Sequence, residues 1–85
     1  DGMLEVAITY LNIANLKEAE LGLEEAQESI DTLLDKAKTI LDEYDNRNGY
    51  YAFVCEKCAP TFGYYGYFAY ENELKERAAV IYERS

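Results

Sequence analysis

The chain contains no histidine and only two cysteines, Cys55 and Cys58. Two thiolates alone fall short of the four ligands that a structural zinc site within one chain needs. The same two cysteines make no disulfide framework, which suits a reducing, cytoplasmic setting. There is one proline, and no segment is low in complexity. No apolar run approaches the ~20 residues that span a bilayer, so no membrane helix is expected. No stretch resembles a signal peptide, and the Asp1-Gly2 start is read as a boundary within a longer protein. No nucleophile elbow and no phosphate-binding loop occurs. Catalysis, metal binding and cofactor binding are therefore not expected.

Basic residues are also scarce, above all in the front half. Residues 1–45 hold twelve acids against three bases, whereas residues 46–85 hold five of each, for a net charge of −9. Such a surface repels phosphates and excludes nucleic acid as an expected partner. It would attract a basic segment of a protein or peptide partner, although a solvated helix face is the plainer reading. The carboxylates Glu18, Glu20, Glu24, Glu25 and Glu28 straddle a turn on that polar face and suggest no metal or acid–base site.

What the chain does have is apolar content of 49% and twelve aromatics, ten of them between Tyr44 and Tyr70. At 85 residues it is one small domain, or part of an array. Such a chain buries roughly 60–65% of its unfolded surface. Leu4, Ala7, Ile8, Leu11, Ala14 and Leu16 predict an amphipathic helix over 3–20, broken at Leu21-Gly22. A second stripe predicts a helix over 23–44: Leu23, Ala26, Ile30, Leu33, Leu34, Ala37, Ile40, Leu41 and Tyr44. The run DNRNG at 45–49 is turn chemistry. Tyr51, Val54, Cys55, Cys58 and Phe62 predict a third helix that kinks or ends near Pro60, with Gly63 and Gly66 flanking a turn. A fourth is expected from Phe68 to Arg84, with Leu74, Ala78, Ile81 and Tyr82 inward.

The pattern repeats with an offset of 41 residues. Tyr10 matches Tyr51, Ile13 matches Val54, Ala14 matches Cys55, and Leu21-Gly22 matches Phe62-Gly63. Leu33 on Leu74, Lys36-Ala37 on Arg77-Ala78, Ile40 on Ile81 and Asp42 on Glu83 continue it without a gap. A period of this length marks stacked supersecondary units. Each unit is a helix–turn–helix, repeat one at about 3–45 and repeat two at about 46–85.

The stretch Tyr10-Leu11-Asn12-Ile13-Ala14-Asn15-Leu16 resembles the first-helix signature of tetratricopeptide repeats, a large aromatic followed by Asn-Leu-Gly/Ala-Asn. Ala26 falls where that family places a small residue early in its second helix. The second copy departs, with Phe53 and Glu56 in place of Asn12 and Asn15 and Tyr67 opposite Ala26. The resemblance covers nearly the whole chain and is closest to a long-repeat bacterial variant, seen as a C-terminal fragment. It implies an all-α fold of two tandem helix–turn–helix repeats, four antiparallel helices in a right-handed superhelix segment. It further implies a non-catalytic scaffold that presents a concave face to a protein or peptide. By the family pattern Leu11, Asn12, Asn15 and Glu18 are the candidate peptide-binding residues.

Two features remain beside that resemblance. In a helix, Cys55 and Cys58 share one face, more than a turn inside the helix start, which favours packing, with a C-x-x-C thiol or metal module as the lesser alternative. The aromatic surplus names Tyr64, Tyr65, Tyr67 and Tyr70 as a candidate interface, with a satellite core as the alternative. Two repeats leave apolar end faces, so further repeats of a longer chain or a second copy are expected to cover them.

Overall fold

The computed structural model describes residues 2–84, and their regular structure is entirely helical. Four helices run in order: α1 (Met3–Leu21), α2 (Leu23–Glu43), α3 (Gly49–Tyr64) and α4 (Phe68–Arg84). α1 packs on α2 and α3 packs on α4. The chain accordingly divides between Glu43 and Tyr44 into two compact units, hairpin one and hairpin two.

Hairpin one is built on aliphatic and small side chains. α1 buries Leu4, Ala7, Leu11 and Ala14, spaced three, four and three residues apart. α2 buries Ala26, Ile30, Leu34, Ala37 and Leu41. The alanines let the two backbones approach closely, and the larger side chains fill the layers between them. Leu16 and Leu23 were expected inward, but both are exposed. Leu16 lies on the far side of α1 from the Leu4–Leu11 stripe, and Leu23 begins α2 before its buried stripe starts. Gly22 alone joins the helices at φ +83 and ψ 156, a region that is essentially restricted to glycine. Its N–H closes α1 on the Glu18 carbonyl at 2.8 Å, and its carbonyl accepts from Ala26 N at 3.0 Å to open α2.

Hairpin two is built on rings and sulfurs. α3 buries Tyr51, Ala52, Val54, Cys55, Cys58, Ala59 and Phe62, and α4 buries Tyr70, Leu74 and Ala78. Asn48 starts α3 by accepting from Tyr51 N through its side chain at 3.1 Å. Tyr82, expected inward, is exposed and donates its hydroxyl to Glu56 at 3.2 Å.

Of the expectation that α3 kinks or ends near Pro60, the ending is corrected: the helix runs on to Tyr64. Pro60 deprives the Glu56 carbonyl of its helical donor. Both residues are exposed, so water can take the donor's place. Buried Cys58, Ala59 and Phe62 hold the backbone on either side. The helix stops instead in a Schellman turn. Gly66, at φ +94, donates to the Gly63 carbonyl at 3.0 Å, and Tyr67 N donates to the Phe62 carbonyl at 2.9 Å. The ring contact that accompanies such turns is Tyr67 on Phe62, centroids 5.8 Å apart.

This turn also corrects the repeat offset. Gly63, matched to Gly22 at 41 residues, is helical, and the turn glycine is Gly66. With Gly22 set on Gly66, the offset is 44. Ala7 then falls on Tyr51, Leu11 on Cys55, Ala14 on Cys58, Ala26 on Tyr70, Ile30 on Leu74 and Leu34 on Ala78, and every one of these positions is buried. A shift of three residues is close to one helical turn, so apolar periodicity looks the same under both offsets. Only the turn and the burial tell them apart.

Candidate functional site

Next to the buried stripe of α1 lies a second one, set back by one residue: Met3, Val6, Tyr10, Ile13 and Lys17, spaced three, four, three and four. With Thr32, Leu33, Lys36 and Ile40 of α2 these side chains line two open hollows of about 520 and 290 Å³ that adjoin at Thr32. Met3 and Val6 are exposed, and Tyr10, Ile13, Leu33 and Ile40 are half-buried. The hydroxyls of Thr32 and Thr39 both donate to carbonyls one turn earlier in α2, at 3.0 Å each. Their polar atoms are thus already satisfied. Lys36 Nζ stands 5.6 Å from the centre of the Tyr10 ring. From Met3 to Lys17 the groove follows α1 for about 21 Å, at 1.5 Å per residue. A long, open, apolar trough with a polar rim suits the face of a helix better than it suits a small molecule.

The residues expected to bind a peptide are placed elsewhere. Leu11 is 4% exposed and belongs to the core, so its expected binding role is corrected. Asn12 and Asn15 are exposed together on one flank, but neither lines the groove. At about 100° per residue they lie on the opposite side of the Leu4–Leu11 stripe from Tyr10 and Ile13. Glu18 is half-buried in the phase of the buried stripe. The groove residues carry a signal that was legible: the same three-and-four spacing, displaced by one position.

In hairpin two, Cys55 and Cys58 are joined in no disulfide and both are buried. Burial, reinforced by Cys55, pushes the Cys58 thiol up to about 12. It therefore carries almost no thiolate at neutral pH, the form that redox and metal chemistry use. Among the described residues no group of three or more His, Cys, Asp or Glu is placed to hold a metal ion. No helix among them is long and apolar enough to cross a membrane.

The four tyrosines expected at an interface separate into different roles. Tyr64 is 67% exposed. Half-buried Tyr65 meets it edge-on at 4.9 Å. Half-buried Tyr67 serves the turn through Phe62. Tyr70, at 9% exposed, is a core residue packed edge-on against Phe62 at 4.8 Å, which corrects its expected interface role. The sequence reading missed Tyr50 and Phe53. These rings stack at 6.3 Å, both are exposed, and they share a helix face with Lys57, Pro60 and Tyr64. That outer stripe of α3 is again spaced three, four, three and four.

Tyr51 organises the opposite end of hairpin two. Its ring is fully buried and stacks on Tyr44 at 5.9 Å. The Arg47 guanidinium lies 5.0 Å from the ring centre, and Arg77 Nη1 donates to the Tyr51 hydroxyl at 3.0 Å. Burial holds the pKa of this phenol above the ordinary tyrosine value, and nearby Cys55 adds to the effect, while the Arg77 hydrogen bond pulls the other way. The hydroxyl stays protonated and neutral at physiological pH. Compared with known proteins, the chain matches no family model, no curated protein and no solved structure.

Proposed function

We propose that the chain is a non-catalytic protein-binding module, a tetratricopeptide-like pair of helical hairpins whose groove on hairpin one receives a partner. The observation that carries this reading is the Met3–Val6–Tyr10–Ile13 trough with Leu33 and Ile40 across it. The hairpin core is complete without it, so the trough is apolar surface left over after folding. Its three-and-four spacing fits an amphipathic helix laid into it. The twelve acids of residues 1–45 favour a partner with basic residues on its rim. Two cysteines outside any disulfide suit a reducing, cytoplasmic location.

The test is a screen of basic amphipathic peptides followed by titration. Tyr10→Glu and Ile40→Glu are each expected to weaken the best binder by about tenfold or more, as loss of a buried anchor does. Asn12→Ala and Asn15→Ala are expected to leave it unchanged. Binding that ignores Tyr10→Glu and Ile40→Glu, or no binding at all, would sink the groove reading.

Self-assembly is the second reading, and the exposed rings of Tyr50, Phe53 and Tyr64 favour it. Magnitudes weigh against it. A stripe on a 16-residue helix is about 24 Å long and about 10 Å wide, roughly 240 Å², which falls short of the ~800 Å² per partner of a stable interface. Antiparallel pairing about the stripe's midpoint would also set Lys57 against its own copy. Light scattering decides: a dimer that Phe53→Glu dissociates would favour assembly, and a monomer would exclude it.

A further inference from the structure

Hairpin two has a hollow at the position of hairpin one's groove, with opposite chemistry. Arg47, Glu76, Arg77, Val80, Ile81 and Arg84 line a cavity of about 200 Å³. At the offset of 44 residues, Arg47 falls on Met3, Glu76 on Thr32, Arg77 on Leu33, Val80 on Lys36 and Arg84 on Ile40, all of them groove residues of hairpin one. Where one hairpin offers aliphatic side chains, the other offers three guanidiniums. These are three of the five bases in residues 46–85, drawn to one place in a chain of net charge −9.

Two of the three are held in position by groups beneath them. Arg47 Nε donates to the Tyr44 carbonyl at 3.2 Å, and its guanidinium lies over the Tyr51 ring. Arg77 Nε donates to Glu73 Oε2 at 2.8 Å and Nη1 to the Tyr51 hydroxyl. The Arg77 guanidinium also lies 5.7 Å from the centre of the Tyr70 ring. Both arginines therefore rest on one buried phenol, and most of their ordering is completed when the hairpin folds. Arginines fixed in this way recognise oxyanions at low additional entropic cost.

We propose that this hollow is an oxyanion site for one carboxylate side chain of an acidic, apolar peptide segment. Charge sets the number. Three guanidiniums against Glu76 and Glu73 leave one net positive charge, which matches a carboxylate better than a doubly charged phosphate. Size sets the reach. The cavity lies below the roughly 300 Å³ at which pockets for drug-sized ligands begin, so it takes a group and not a whole nucleotide. Val80 and Ile81 form the apolar wall, so an aliphatic neighbour of the carboxylate gains burial there. The site is independent of the groove on hairpin one, and its ligand has the opposite charge.

The experiment is a titration of the isotope-labelled full chain followed by amide NMR. The probes are acetyl-leucyl-glutamyl-leucine amide, its glutaminyl counterpart and inorganic phosphate. The glutamyl peptide is expected to shift the amides of Arg47, Val80, Ile81 and Arg84 saturably, and added salt to weaken it. The glutaminyl peptide is expected to bind about tenfold more weakly, the usual scale for losing a charge-assisted hydrogen bond. Arg84→Gln and Arg47→Gln are each expected to weaken the glutamyl peptide by a similar factor while helical circular dichroism is unchanged. Equal binding of the two peptides, or variants without effect, overturns the site. Phosphate binding more tightly than the glutamyl peptide overturns the carboxylate assignment. Shifts confined to Met3, Tyr10 and Ile40 would move the peptide to the other hairpin and overturn it as well.

Discussion

The two hairpins solve one packing problem with exchanged volumes. Set 44 residues apart, small Ala7 and Ala26 of hairpin one face the roles of Tyr51 and Tyr70 in hairpin two. Large Leu11 and Leu34 correspond in turn to smaller Cys55 and Ala78. A layer needs a filled volume and not a given residue, so large and small can trade places if the sum is kept. The exchange has a chemical consequence. A core of leucine, isoleucine and alanine contains no side-chain polar atom, and it leaves a plain apolar trough beside it. A core containing Tyr51 brings a hydroxyl to the edge of the packing, and that hydroxyl collects Arg77 while the ring face collects Arg47. Charge in the second hollow thus follows from the ring in the core.

The comparison is broken most severely at Phe62. It is fully buried and anchors both Tyr67 and Tyr70. Phe62→Ala is expected to cost about 3–5 kcal/mol in denaturant unfolding, since three rings lose their packing together. Glu18 holds the equivalent place in hairpin one, so Glu18→Ala is expected to cost well under half as much. Comparable losses at the two positions would contradict the reading that a ring anchors hairpin two at a place where hairpin one has no core side chain.

The turn glycines sharpen the same correspondence with a smaller effect. Gly22→Ala and Gly66→Ala each force a side chain into positive φ, at about 1–3 kcal/mol. Gly63→Ala is expected to be nearly neutral. Alanine gains about 1 kcal/mol in a helix, while its Cβ must push aside the Glu71 carboxylate. That carboxylate is paired with Lys75 at 3.1 Å near the surface, a contact of small value. A large loss at Gly63 and a small one at Gly66 would restore the offset of 41.

The helix starts give the smallest contrast. Asn48 caps α3 with its side chain, whereas Gly2 offers α1 none. Asn48→Ala is expected to cost about 1 kcal/mol and to speed amide exchange at Tyr51, and Asn48→Asp to cost much less. An alanine variant with unchanged exchange at Tyr51 would deny the cap.

Much of this was legible beforehand, and its limits have a common cause. The four helices, the Gly22 break and the DNRNG turn follow from local rules of periodicity and turn chemistry. The burial of Cys55 and Cys58 follows from their phase. Tyr70 was grouped with Tyr64, Tyr65 and Tyr67 as interface or satellite core, and its phase with Leu74 and Ala78 points inward. Asn12 and Asn15 were selected by resemblance, which places them on a concave wall; within hairpin one they are exposed on the flank of α1 away from the trough.

By itself, then, the sequence determined the helical class, the number of helices and the acidic character of the front half. Those depend on each residue's near neighbours along the chain. Tertiary structure alone decided which residues of one hairpin correspond to those of the other, the continuation of α3 past Pro60, and the choice between two parallel stripes on α1 as core and groove. Stripes one residue apart have the same period and nearly the same hydrophobicity. Which one is buried is settled only when α2 is laid against one of them.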